Sequence, residues 1–149
     1  MQRLKSKKLG FTLIEVMCAL SIFTLIFMTA ISIRFSTVKM RVHNEKMEKY
    51  IESINGVKNE ILSNSSDEEI KSMLNLGEVY IDKNNIDIES IRDKKITEVI
   101  TTLPSYEKPY MKISLSRDNL IAVNLELYAD ILRKEESIVC KFYKFIEVK

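Results

Sequence analysis

Lys7-Lys8-Leu9-Gly10-Phe11-Thr12-Leu13-Ile14-Glu15-Val16 opens an apolar run from Phe11 to Ile33 whose only formal charge is Glu15. As a helix at about 1.5 Å per residue, a run of this length reaches about 35 Å, enough to cross the hydrocarbon core of a bilayer with some tilt. Four cations precede it: Arg3, Lys5, Lys7 and Lys8. Two features set the stretch apart from a secretory signal peptide. The small residue Gly10 stands before the apolar run, where a signal peptide would carry its small residues after it. A carboxylate also sits near the start of the membrane segment, where an acid is costly and marks function. The plain alternative for Glu15 is a side chain that reaches back to the headgroups.

The stretch KKLGFTLIEV resembles the leader-and-cleavage signature of type IV prepilins and pseudopilins. In that family a short basic leader ends in Gly, and a membrane peptidase cuts after it on the cytoplasmic side. The new N-terminal residue is N-methylated, and a Glu four residues on takes part in filament assembly. The resemblance therefore implies that Gly10 closes the leader, that Phe11 becomes the methylated N-terminus, and that Glu15 is the assembly and register carboxylate. Lys7 and Lys8 are then the basic end of the leader. The continuation EVMCALSIF is similar to the minor-pilin and minor-pseudopilin branch. The resemblance implies a structural subunit, not an enzyme, whose partners are prepilin peptidase, other pilin or pseudopilin subunits, platform assembly machinery and membrane lipid. After the cut, the Phe11 amine would lie one helical turn from Glu15, an i,i+4 relation. In lipid that carboxylate needs a cation, either its own amine or that of the next subunit; the second choice favours axial register between subunits. The basic leader places the N-terminus in the cytoplasm and the C-terminal domain outside.

About 115 residues lie beyond the run, enough for one small domain with its own core. Removing the four leader cations from the formal charge of +2 leaves −2 from Phe11 onward. That balance argues against a nucleic-acid-binding surface. The two cysteines, Cys18 in the membrane run and Cys140 near the C-terminus, are placed too far apart to bridge within the chain; Cys140 reads as a buried apolar residue, with pairing between subunits as the alternative. The apolar run lacks the Pro that major pilins carry within it; the first Pro in the chain is Pro104. A helix without a built-in loosening point is expected, which suits a minor subunit better than a bulk extensible one.

Beyond the run, Phe35, Val38, Val42, Met47, Tyr50, Ile51, Ile54, Val57 and Ile61 continue an apolar stripe at helical spacing. His43, the only histidine, reads as a solvated helix residue. The helix is expected to end near Asn64. Ser66-Asp67-Glu68-Glu69 fits a capping box that starts a short second helix, with Gly77 as its stop. From Glu78 the period changes to two. Val79–Ile81 and 86–88 read as a hairpin around Asp82-Lys83-Asn84-Asn85, and 96–103 as a third strand. Two strongly alternating strands come next, through Met111-Ile113-Leu115 and Ile121-Val123-Leu125-Leu127. Residues 133–137 read as a solvated turn and 138–146 as the last strand.

The expected fold is α+β: a long N-terminal helix packed against an antiparallel sheet of four to six strands, pilin-like. Its divisions are a leader at 1–10, a membrane and assembly helix at 11–33, its amphipathic continuation at 34–63, a connection at 64–77 and a β domain at 78–149.

No metal or cofactor set is expected. Asp82, Asn84 and Asp87 lack EF-hand spacing and read as a polar turn. No nucleophile–base or phosphate-loop motif occurs. The chemistry of Tyr106, Tyr110, Tyr128 and Tyr143 beside lysines admits DNA as a partner, but the negative charge lends it no support, and half-buried strand aromatics are the plainer reading. A second functional reading is a membrane-anchored extracytoplasmic binding module that does not polymerise.

Overall fold

The computed structural model describes residues 12–104, 107–117 and 120–145. The chain forms two compact units, Met1–Arg41 and Val42–Lys149. Helix α1 covers Leu13–Asn59. Its sequence holds no Pro and a single Gly, so nothing in the backbone interrupts it. One π turn, Glu60–Asn64, extends it.

In the first unit every described residue of the helix is exposed. Five of its hydroxyls turn inward on the helix backbone. Ser21 Oγ donates to Met17 O at 2.8 Å, Thr24 Oγ1 to Ser21 O at 2.8 Å, Thr29 Oγ1 to Ile26 O at 2.8 Å, Ser32 Oγ to Met28 O at 2.9 Å and Thr37 Oγ1 to Ile33 O at 2.9 Å. The first four of these bonds satisfy hydroxyls of the apolar run within the helix itself, as an environment without water requires.

In the second unit, burial on α1 is confined to Ser53, Ile54 and Val57, followed by Ile61 in the π turn. The stripe expected from Phe35 onward is thus buried only at its end. Phe35 and Val38 are 63% and 60% exposed, and Ile51 is 44% exposed, while Tyr50 packs at the margin of the core. Burial pushes the Tyr50 hydroxyl up from its ordinary pKa, and the nearby Asp87 and Asp130 add to this.

Ser66 begins α2 (Asp67–Leu76) with the full capping box: Glu69 N–H donates to Ser66 Oγ at 3.3 Å, and Ser66 N–H donates to Glu69 Oε2 at 2.9 Å. Gly77 closes the helix at φ 76°, ψ −65°, a conformation that costs an L side chain energy even though a Cβ there would meet open space.

The Ser66 N–H holds the Glu69 carboxyl below the ordinary carboxylate pKa. A folded pKa below the unfolded one contributes stability that is complete above the unfolded value, about 4.3, and is lost as pH falls through the folded value. Glu69→Gln keeps the acceptor but cannot titrate. The stability difference between wild type and this variant, measured by denaturant unfolding, should therefore be larger at pH 7 than at pH 3. An equal difference at both would remove the electrostatic role.

The sheet has five antiparallel strands in the order β2-β1-β3-β4-β5. They are β1 (Glu78–Ile81), β2 (Ile100–Thr101), β3 (Tyr110–Arg117), β4 (Ile121–Ile131) and β5 (Lys134–Lys144). β3 and β4 pair along their length, with Ile113 opposite Leu125, and β4 pairs with β5 over eleven positions, with Leu125 opposite Cys140. Strict alternation puts Met111, Ile113, Leu115, Ile121, Val123, Leu125, Leu127 and Ala129 on one face, where they meet Ile54, Val57, Ile61, Ile70 and Met73 from the helices. The architecture is therefore α+β, a long N-terminal helix with a C-terminal five-stranded antiparallel sheet, consistent with a pilin fold.

Three local expectations need correction. Residues 86–88 form no strand: Lys83–Asn85 is a 3-10 turn and α3 (Ile88–Asp93) begins there. Most of 96–103 is not strand either, since α4 (Ile96–Val99) precedes the two-residue β2. The spacings Ile88/Ile91 and Ile96/Val99 are helical, and Ile91, Ile96 and Val99 join the core. The third correction lies at residues 133–137. The turn is only Leu132-Arg133, both at positive φ (52° and 66°), and Lys134–Ser137 already belong to β5. Two central residues at positive φ match the twist of the flanking strands in a tight hairpin.

Candidate functional site

The site marked by the sequence is the start of the apolar helix. Lys7, Lys8, Gly10 and Phe11 lie outside the described residues. Glu15 is described, in the first turn of α1. Its Oε2 accepts from Thr12 N–H at 3.0 Å and from Thr12 Oγ1–H at 3.0 Å. In return Glu15 N–H donates to Thr12 Oγ1 at 3.4 Å. Thr12-x-x-Glu15 is thus a reciprocal capping box, which sequence reasoning found at Ser66 but missed here. The signal was present as a Thr three residues before a Glu at the head of an apolar helix.

The cap has a physical consequence. Orphan N–H groups at a helix start are costly where water is absent, and the capping box satisfies two of them. The carboxylate is also drawn to the positive end of the helix dipole. Both bonds from Thr12 fall on a single oxygen, Oε2. The geometry fixes where the negative charge sits: in the first turn, held against Thr12.

The other singled-out residues lie in the second unit. His43 is half-buried, its Nδ1 3.7 Å from Glu136 Oε1 on β5, and is not the solvated residue expected. Cys140 is half-buried at the margin of the core rather than fully buried, and both Cys18 and Cys140 are free thiols. Tyr110 and Tyr128 are half-buried and stack at 5.1 Å, while Tyr143 is 59% exposed; Tyr106 lies outside the described residues.

The solvent-facing side of the sheet is tied together by polar pairs. Lys112 Nζ lies 2.7 Å from Glu78 Oε1, which holds the Glu78 carboxyl low and the Lys112 ammonium high in pKa. The Tyr128 hydroxyl donates to Glu126 Oε2 at 2.7 Å, and that bond raises its pKa.

Sequence reasoning also missed Lys144. It is 8% exposed, on the core side of β5 together with Phe142. Its Nζ donates to Ile61 O at 2.6 Å and to Ser65 O at 2.8 Å, capping the end of the π turn. A cation at the C-terminal end of a helix complements the dipole and supplies donors to otherwise orphan carbonyls.

An α+β fold whose first helix starts with a capped carboxylate is consistent with a pilin-like subunit. The family model described as the prokaryotic N-terminal methylation motif matches residues 5–31, which supports a type IV pilin-like prepilin. Comparison with curated proteins and with solved structures gives no match. The matched family is structural rather than enzymatic, and its motif implies processing by prepilin peptidase and assembly with other pilins. Among the described residues, one helix near the N-terminus is long and apolar enough to cross a membrane, which fits a membrane-anchored pilin.

Proposed function

We propose that this chain is a minor subunit of a type IV pilus or pseudopilus. In this reading prepilin peptidase cuts between Gly10 and Phe11, and Phe11 is N-methylated. The helix of residues 11–33 holds the subunit in the membrane with its N-terminus cytoplasmic and its sheet domain outside. The same helix then carries the subunit into the filament, through contacts with other pilin or pseudopilin subunits and the platform machinery. Glu15 supplies the charge that sets axial register. Adhesion, motility, DNA uptake and secretion are all served by assemblies of this kind. The observation that carries the reading is a carboxylate capped at the first turn of an exposed apolar helix, inside the matched methylation motif.

The test is the intact mass of the chain after co-expression with a prepilin peptidase. A chain starting at methylated Phe11 is expected, and Gly10→Val should abolish the cut. A wild-type chain that keeps residues 1–10 under these conditions would overturn the reading and favour the anchored binding module.

A further inference from the structure

The turn that joins β4 to β5 is made of residues that strain it. Leu132 and Arg133 sit at φ 52° and 66°, a region where an L side chain crowds its own backbone. Asn-Gly would build the same tight hairpin with less strain. Strain of this kind is kept where the side chains themselves are needed. Leu132 is 44% exposed, and Arg133 and Lys134 beside it are exposed as well. The neighbouring acids already face cations: Asp130 and Glu135 face Lys108 Nζ at 3.3 and 2.8 Å, and Glu136 faces His43 Nδ1 at 3.7 Å. Among the described residues no ion pair holds Arg133 or Lys134.

Contacts with α1 fix the direction in which this turn points. Glu136 meets His43, the Phe142 ring centre lies 6.0 Å from Lys58 Nζ, and Lys144 Nζ lies 2.6 Å from Ile61 O. Within the second unit, α1 and β5 therefore advance side by side in the same direction. The turn precedes β5, so it projects at the end where the chain enters the unit at Val42. The turn between β3 and β4, with Leu120 41% exposed, lies at the opposite end of the sheet. Only residues 34–41 separate Val42 from the apolar run that ends at Ile33. That stretch reaches about 12 Å as helix and less than about 30 Å fully extended. However it bends, it holds the entry end of the unit close to the bilayer. An exposed Leu flanked by cations without acid partners suits the interface of an anionic bilayer, with the apolar side chain below the headgroups and the cations on their phosphates.

We infer that the Leu132-Arg133-Lys134 turn docks on the bilayer that anchors the chain, with Leu132 inserted and Arg133 and Lys134 on the phosphates of anionic lipids. The inference rests on the proposed anchoring by residues 11–33 and gives the sheet domain a membrane contact of its own.

The chain contains no Trp, so a single introduced Trp reports one position. The test uses full-length Leu132→Trp, Leu120→Trp and Phe23→Trp chains, each changed at an exposed position where Trp displaces no core contact. They are reconstituted in phosphatidylglycerol vesicles with and without bromine on the acyl chains, and Trp emission is compared. Bromine should quench Leu132→Trp and Phe23→Trp but not Leu120→Trp. Adding Arg133→Gln to Leu132→Trp should lower the ratio of inserted to free turn roughly fivefold, and replacing the lipid by brominated phosphatidylcholine should lower it at least as much. Quenching of Phe23→Trp without quenching of Leu132→Trp would overturn the inference and leave the anchoring intact. Equal quenching of Leu132→Trp and Leu120→Trp would also overturn it, as would quenching of Leu132→Trp that ignores both Arg133→Gln and the headgroup charge. An unquenched Phe23→Trp chain would remove the anchoring itself, and the inference with it.

Discussion

Lys144→Met is expected to destabilise the Val42–Lys149 unit by about 3 kcal/mol, because it strips the donor from two carbonyls while keeping the side chain's apolar length. Lys144 is 8% exposed and gives two of its three protons to Ile61 O and Ser65 O. Removing an unpaired buried charge would be favourable; removing a paired one leaves its partners with unmet demand, and the second effect dominates here. The midpoint of thermal unfolding, followed in the full chain, should fall by roughly 10 °C. Lys71→Met, an exposed position on α2, serves as the control and should change stability by less than about 0.5 kcal/mol. Equal midpoints for the two variants would show that the carbonyls do not depend on the ammonium.

The second large effect is expected at Glu15, where a pair of substitutions separates two jobs. Glu15→Ala removes both the cap to Thr12 and the charge. Glu15→Gln keeps an acceptor for Thr12 N–H, since Gln also completes capping boxes, and removes only the charge. If the carboxylate sets register against a neighbouring subunit's amine, both variants should be cut and methylated normally yet be lost from sheared filaments. Breaking a charge pair in a low-dielectric bundle costs about 3 kcal/mol, roughly a 100-fold loss of incorporation. Glu15→Gln chains present in filaments at the wild-type level would show that the side chain serves as a cap alone.

The legible parts of the fold were those in which one face of an element is buried and the other wet. β3 and β4 alternate because Met111, Ile113, Leu115, Val123 and Leu125 all enter the core. Ser66 and Gly77 announce the ends of α2 through cap chemistry that leaves its mark in residue type. The region 82–101 was illegible for the opposite reason. Ile86 and Ile88 satisfy a period of two, while Ile88 and Ile91 satisfy a helical one, and windows this short do not separate the two. The hairpin at Leu132-Arg133 was misplaced because its positive φ values fall on residues that seldom adopt them, while the charged Lys134-Glu135-Glu136 beside it has the composition of a loop. Lys144 could have been found: it shares parity with the buried Phe142, so the strand pattern alone puts it on the core face. At the candidate site, the motif made Glu15 visible as a charge, and only the geometry exposed the hydrogen bonds by which it starts its own helix.

The bond from Lys144 to Ile61 spans 83 positions of sequence. A ribosome therefore delivers the two ends of this contact many seconds apart, at about 5–20 residues per second. Until the final strand emerges, the helix terminus waits with its carbonyls open and the edge of β4 unpaired. Loop-closure entropy makes such a distant contact slow to form, so the domain commits to its fold late. Nascent chains arrested before residue 144 should thus remain protease-sensitive throughout the sheet, and a chaperone that shields bare strand edges would find its longest window of opportunity in that interval.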